Sequence, residues 1–361
     1  MKTAALIWTW IEERFDVGEL IAPLRSKTVP RHRFSIWYLL GGITLFLFFV
    51  QVLTGLLLLL YYRPSTQEAY ESVQYITTRV QFGWLVRSVH FWSANLMIFM
   101  AVAHMFSVVL LRAYRKPREL TWVSGMLLLF LALGFGFSGY LLPWNTLSFF
   151  ATKVASEVAG QVPLVGHALL VFMRGGEDVG GATLARFFSL HVVVLPALAA
   201  TLLMLHLWLV QKFGMSVPPS VESHWTEVPE VRQEVRFFPD FLLRDLMAWC
   251  VILAALLVLA AALPAELGHK ADPFAPTPFG IKPEWYFLAQ FQTLRLLPAK
   301  IFGIEGELIG VFGFGLAGAL WLALPFLEGR LGRNGSRWVR AAALLGMVYL
   351  GSLTLYAYFA K

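Results

Sequence analysis

Seven apolar stretches divide the 361-residue chain, at about 35–62, 88–111, 120–142, 187–210, 246–263, 308–327 and 341–360, with most charged residues between them. At 1.5 Å of rise per residue, about 20 apolar residues cross roughly 30 Å of hydrocarbon, so each stretch predicts one membrane-spanning helix. Only two of the stretches carry imidazoles. FFSLHVVVLPALAATLLMLHLWLV (187–210) holds His191 and His206, and SVHFWSANLMIFMAVAHMFSVVLL (88–111) holds His90 and His104.

Polar rings inside a bilayer are costly and mark function by default. His90 and His104 are 14 residues apart and His191 and His206 are 15 apart. On a helix these intervals return to within about 40° and 60° of one face, at two depths roughly 21 to 23 Å apart. A single such histidine would more often hydrogen-bond to a neighbouring helix. Matching pairs on two helices predict more: run antiparallel, they set His90 opposite His191 and His104 opposite His206. Two trans imidazoles fill both axial positions of an iron porphyrin and leave it electron exchange alone. Zinc asks for three or four ligands, and each level offers two. Gly41 and Gly55, and likewise Gly125 and Gly139, keep the same interval of 14. They predict two further helices passing close to the porphyrins with no side chain between, although one glycine pair alone would be an ordinary packing contact.

Composition agrees with an all-α integral membrane protein: 58% hydrophobic residues, 14% charged and a mean hydropathy of +0.66. The expected organisation is an N-terminal four-helix bundle holding two haems (1–210), a cytoplasmic linker (211–240) and three C-terminal transmembrane helices (241–361). The net charge of +7 needs no nucleic acid to explain it. With the N-terminus inside, 18 of the 29 basic residues fall on inner segments, which places the N-terminus in the cytoplasm and the C-terminus outside. His90 and His191 then lie near the outer face, and His104 and His206 near the inner one. Cys250 stands alone, excludes an intramolecular disulfide and reads as packing. No cleavable signal pattern opens the chain, so targeting is expected of the first span. Leu6, Ile7, Trp10, Ile11 and Phe15 interleave with Glu12, Glu13 and Arg14 as an amphipathic helix on the cytoplasmic membrane surface.

The connections carry further candidates. Arg87, one turn before His90, is placed to reach a haem propionate or simply to mark a membrane boundary. The basic run RAYRKPR (112–118) serves either the inner propionates or the charge rule alone. An outer connection of some 40 residues opens with GYLLPW (139–144), and loops this long in compact proteins are usually functional. The outer segment ADPFAPTPFGIKPEWY (271–286) puts Glu284 directly after Pro283, in what reads as the first turn of a short helix. A first-turn acid is the plain reading. A carboxylate in a proline-stiffened apolar loop level with the outer haem is also what quinol oxidation needs, because quinol releases electrons only as it loses protons.

Taken together, GGITLFLFFVQVLTG, FGWLVRSVHFWSA, KPRELTWVSG, GYLLPW, RFFSLHVVVLP and the PEWY motif of Pro283, Glu284, Trp285 and Tyr286 cover nearly the whole length. The sequence resembles cytochrome b of the quinol:cytochrome c reductases, and most closely cytochrome b6 followed by subunit IV of the cytochrome b6f complex, joined in one chain. The 15-residue spacing resembles the b6 branch. The resemblance implies two haems b, the low-potential one on His90 and His191 and the high-potential one on His104 and His206. It implies quinol oxidation near Glu284 and Tyr286, with Tyr140, Pro143 and Phe149 as walls. One electron goes to a Rieske iron-sulfur protein and the other through the haems to quinone at the inner side, coupled to proton translocation. A membrane-attached c-type cytochrome and a homodimer in a bacterial cytoplasmic membrane complete the expectation.

Three positions depart from the b6 pattern. Leu39 stands where b6 has the cysteine of a thioether-bound extra haem, so no covalent haem is expected there. Gln211 and Ser107 replace common basic residues of the inner quinone site, which leaves Lys212 or the 112–118 loop to compensate. The competing readings are a dihaem anchor of a dehydrogenase or hydrogenase, which does not require the PEWY half, and a proton-coupled transporter, which would show inverted repeats and broken helices.

Overall fold

Two amphipathic helices open the chain, α1 (Lys2–Phe15) and α2 (Val17–Ser26), in the computed structural model, which describes residues 2–359. Leu6, Ile7, Trp8, Trp10 and Phe15 are exposed on α1. Arg14 lies 4.3 Å above the Trp10 ring, the apolar-body, charged-tip arrangement of an interfacial helix. β1 (Thr28–Arg31) then pairs antiparallel with β2 (Gln233–Arg236), tying the segment ahead of the first span to the linker.

Four spans form the first half. They are α3 (Leu39–Leu59), followed by the short α4 (Ala69–Thr78), then α5 (Gly83–Leu110) and α6 (Glu119–Tyr140), and a fourth described below. The long outer connection is itself helical: α7 (Thr146–Gly160) packs on α8 (Gly166–Arg174). Asn145 starts α7 by accepting the Ser148 N–H at 2.8 Å, which satisfies an otherwise orphaned donor. The fourth span is α9 (Gly181–Ser189), a π turn at Leu190–Val194, and α10 (Leu195–Phe213). α3 packs mainly on α5, and α10 on α6.

The second half begins with α11 (Pro219–Glu227) in the linker and α12 (Leu242–Ala262) in the membrane. The outer segment ends in α13 (Trp285–Leu296) and a small hairpin, β3 (Lys300–Ile301) with β4 (Ile304–Glu305). α14 (Gly306–Leu322), α15 (Leu324–Leu327) and α16 (Gly335–Phe359) complete the fold. Six helices are long and apolar enough to span unaided, and α14 with Leu324–Gly332 forms a bent seventh, turned by 70°.

The sequence predicted one span over 308–327, and the structure bends it at Ala323. Pro325 has no N–H for the Trp321 carbonyl, so the helix cannot continue. The Trp122 indole takes that place, donating to the carbonyls of Trp321 (3.1 Å) and Leu322 (3.2 Å). Residue 360, the predicted end of the last span, lies outside the described residues. Cys250 is exposed on α12 rather than packed, as suits a membrane helix whose surroundings are as apolar as its neighbours.

Candidate functional site

α5 and the α9–α10 span run parallel rather than antiparallel as the sequence reading expected, because His90 meets His191 and His104 meets His206 in the same chain order, and they bring their imidazoles together at two levels. His90 and His191 have ring centres 6.4 Å apart. Two metal–nitrogen bonds of about 2 Å, with roughly 1.1 Å from nitrogen to ring centre on each side, come to about 6.2 Å, so one metal ion fits between them. His104 and His206 meet at the other level and, with Gly41 and Gly125, line a cavity of about 650 Å³. Among the described residues no group of three or more His, Cys, Asp or Glu could hold a metal, so the donor set suits a porphyrin with two axial ligands.

Each glycine meets one imidazole. A Cβ would stand 3.4 Å from His90 at Gly55, 2.5 Å from His191 at Gly139, 3.3 Å from His104 at Gly41 and 3.1 Å from His206 at Gly125. The residues just before three of these glycines carry a function that sequence reading missed. Thr54, Ser138 and Ser124 place their hydroxyls 2.9, 3.2 and 2.9 Å from Nδ1 of His90, His191 and His206. Each hydroxyl donates its own proton to a backbone carbonyl, of Val50, Gly134 or Thr121. Its oxygen therefore accepts, the imidazole carries its proton on Nδ1, and Nε2 keeps the lone pair a metal needs. His104 differs: Leu40 precedes Gly41, and its buried Nδ1 has no partner among the described residues. The repeated hydroxyl–glycine dipeptide was the available signal.

The extra residue between His191 and His206 is taken up by the π turn. The Leu195 N–H donates to the Leu190 carbonyl, five residues back rather than four. Such a bulge adds one residue without adding a turn. The 15-residue interval therefore behaves as 14, and both levels fall on one face.

In the PEWY segment Glu284 is the N-cap of α13 rather than a first-turn residue, and its side chain makes no capping hydrogen bond. It is half-buried, and desolvation raises its proton affinity above that of an ordinary carboxylate. The Tyr286 hydroxyl reaches α6 at Gly136, where a Cβ would stand 2.6 Å away. Gly139, which touches His191, is about one turn further along. Burial raises the Tyr286 pKa, with the negative charge of Glu284 adding to it, and Glu284 is near enough for its charge to act on Tyr140 as well. The Trp285 indole donates to Asn95 Oδ1 at 2.8 Å. Pro143 is half-buried in the turn after α6. Phe149, expected as a wall, is only 3% exposed and belongs to a closed core with Trp144 and Phe150, because α7 turns its apolar face inward. Arg87, expected at a propionate, gives Nη1 to the Ala265 carbonyl (2.5 Å) and Nη2 to that of Glu266 (2.8 Å), which lie across the outer end of α5.

At the inner level Ser107, Arg118, Gln211 and Asp245 also line the large cavity. Ser107 donates to the His104 carbonyl (2.7 Å), and Gln211 Oε1 accepts from Lys27 (2.5 Å). Lys212, expected to compensate there, is absent from the lining and lies over the rings of Trp208 and Phe213 instead. The basic loop is divided: Arg112 pairs with Glu328 (2.7 Å) and Arg115 with Glu222 (3.2 Å), while Arg118 reaches the cavity. Sequence reading missed Asp245. It packs against Gly42 with a buried Oδ1 that has no partner among the described residues, and a span drawn from 246 left it one residue outside. Leu39 lines a smaller cavity of about 310 Å³ with Arg31 and Arg244.

These features define a class: multi-pass helical membrane proteins built around stacked pairs of facing imidazoles. The family model "Cytochrome b/b6/petB" matches residues 24–214, and "Cytochrome b(C-terminal)/b6/petD" matches residues 270–358. The chain belongs to the cytochrome b/b6 family and is the cytochrome b subunit of a bc- or b6f-type complex, with the b6-like and C-terminal parts joined in one polypeptide. It is 51% identical to a "Cytochrome bc complex cytochrome b subunit" of Chlorobaculum thiosulfatiphilum over 322 residues, 88% of this chain and 73% of that one. It is 46% identical to cytochrome b6 of Synechococcus sp. (strain JA-3-3Ab) over 212 residues, 59% of this chain and 98% of that one. A chain of a hyperthermophilic respiratory Complex III has the same fold, with a TM-score of 0.79 at 28% identity, over 97% of this chain and 98% of that one. The family implies b-type haem and an oxidoreductase subunit of a multi-subunit membrane assembly.

Proposed function

We propose that this subunit oxidises quinol at the outer side and reduces quinone at the inner side, within a homodimeric complex containing a Rieske iron-sulfur protein and a membrane-attached c-type cytochrome. The observation that carries this reading is the closeness of Tyr286 to the outer imidazoles, through Gly136 and Gly139 on one helix, with Glu284 near enough for its charge to act on Tyr286. Haem b, held by His90 and His191 at one level and by His104 and His206 at the other, supplies one-electron exchange across the membrane when bound. Glu284, free of any capping bond, accepts a quinol proton, and the Tyr286 hydroxyl orients the quinol. At the inner side Asp245 donates a proton to quinone in a cavity that Arg118 and Gln211 also line. The distribution of basic residues supports a bacterial cytoplasmic membrane with the N-terminus inside. The proposed units are 1–210, 211–240 and 241–361.

With quinol as sole reductant, a reduced-minus-oxidised difference spectrum of the purified complex is expected to develop b-type bands. Bands with dithionite but none with quinol would defeat the quinol reading, and no bands at all would defeat the haem sites. Haem staining after denaturing electrophoresis is expected to leave this polypeptide unstained, because Leu39 offers no thiol. A stained band at its mass would contradict that.

The π turn yields a sharper test. Deleting Val193 removes the bulge and leaves a true 14-residue interval, so both haems should be retained. Deleting Ala200 keeps the bulge, turns His206 by about 100° relative to His191 and should cost one haem. Equal haem contents in the two variants would mean the bulge does not set the register.

A further inference from the structure

We propose that Asn95 is a positioning residue for quinol oxidation, a latch by which the histidine-bearing helix α5 holds Trp285 and, through it, Glu284 and Tyr286. The proposal rests on the quinol site described above. Trp285 is the first residue of α13, with Glu284 before it and Tyr286 after it. Its indole N–H donates to Asn95 Oδ1 at 2.8 Å, while Asn95 Nδ2 donates to the Phe91 carbonyl at 2.9 Å. The second bond decides which end of the amide faces Trp285. One turn further, the Phe99 ring lies 6.3 Å from the Trp285 ring, tilted by 59°.

Asn95 belongs to a stripe on α5 with Ser88, Trp92 and Phe99. Ser88 Oγ accepts from the Ala265 N–H at 3.0 Å and Trp92 donates to the Leu263 carbonyl at 2.7 Å, so the stripe grips the outer segment at its start as well as at Trp285. At 100° per residue Asn95 stands about 140° around the helix from His90. One helix thus carries an imidazole on one face and the quinol loop on another, and a polar amide in an apolar span has a stated purpose.

The test uses the assembled complex. Asn95→Leu is expected to lower kcat/KM for quinol by about tenfold to a hundredfold, the size expected when reacting groups are displaced by about an ångström. Haem content and both haem potentials should not change, whereas a purely structural role would lower haem content along with turnover. Trp285→Phe keeps the ring and removes the N–H, so it should give a similar loss, and the double variant should be no worse than either single one. Wild-type kcat/KM in Asn95→Leu, or losses that multiply in the double variant, would overturn the latch. If Asn95→Leu does not assemble, Trp285→Phe decides alone, with normal kcat/KM overturning it. Glu284→Gln, measured in parallel, separates the two levels of inference. A slow Glu284→Gln beside a normal Asn95→Leu removes only the latch, and normal rates in both remove the quinol site as well.

Discussion

Replacing His191 with leucine is expected to remove the outer haem and leave the inner one bound. The axial bond is lost at one level only. His206 lies 15 residues away, with its own hydroxyl partner in Ser124 and its own glycine in Gly125. Redox titration of the purified variant should show one b-type component where the parent shows two. Gly139→Val should act in the same way, because a Cβ at that position already stands 2.5 Å from His191 Cε1 and bulk there displaces the ring. His104→Leu should remove the inner component instead. Loss of the inner haem with retention of the outer one in His191→Leu would refute the pairing of His90 with His191.

Glu284→Gln is expected to slow quinol oxidation by roughly one to two orders of magnitude, within the range of general acid–base assistance, with both haems present and chemically reducible. The substitution keeps size and polarity and removes the basic site. A helix-start acid acting only through the helix dipole would contribute about 0.3 to 1 kcal/mol of stability and leave turnover near normal. The absence of a capping bond from Glu284 argues for the first outcome. The pH dependence follows from its raised proton affinity. Only the carboxylate can accept a proton, so turnover of the parent should fall as pH drops through the elevated pKa, and Glu284→Gln should lack that limb. Steady-state quinol:cytochrome c activity across pH checks this, and superimposable profiles would remove Glu284 from the proton path.

Much of the candidate site was legible because it repeats. Two histidine pairs and two glycine pairs at intervals of 14 or 15 residues are properties of single helices, and a helix has a fixed rise and turn. The same periodicity held the Thr54, Ser124 and Ser138 hydroxyls one residue before their glycines, a signal present but unread. Other positions were legible in kind and not in partner. Arg87 is a boundary arginine whose guanidinium meets the carbonyls of Ala265 and Glu266. Phe149 is an aromatic of the outer connection that closes a core, and Lys212 is a linker cation that lies over aromatic rings.

The sequence by itself determined the number and order of the spans and the two levels of imidazoles. These follow from apolar length and helical periodicity, which act locally along the chain. Only the tertiary structure decided that the 15-residue interval is corrected by a π turn, that the predicted sixth span bends at Ala323, that Asp245 faces the inner cavity and that Asn95 meets Trp285. Each of these depends on how one helix is rotated against another and on which donor reaches an orphaned acceptor. Residues 190 positions apart, such as Asn95 and Trp285, carry no shared periodicity from which such a contact could be read.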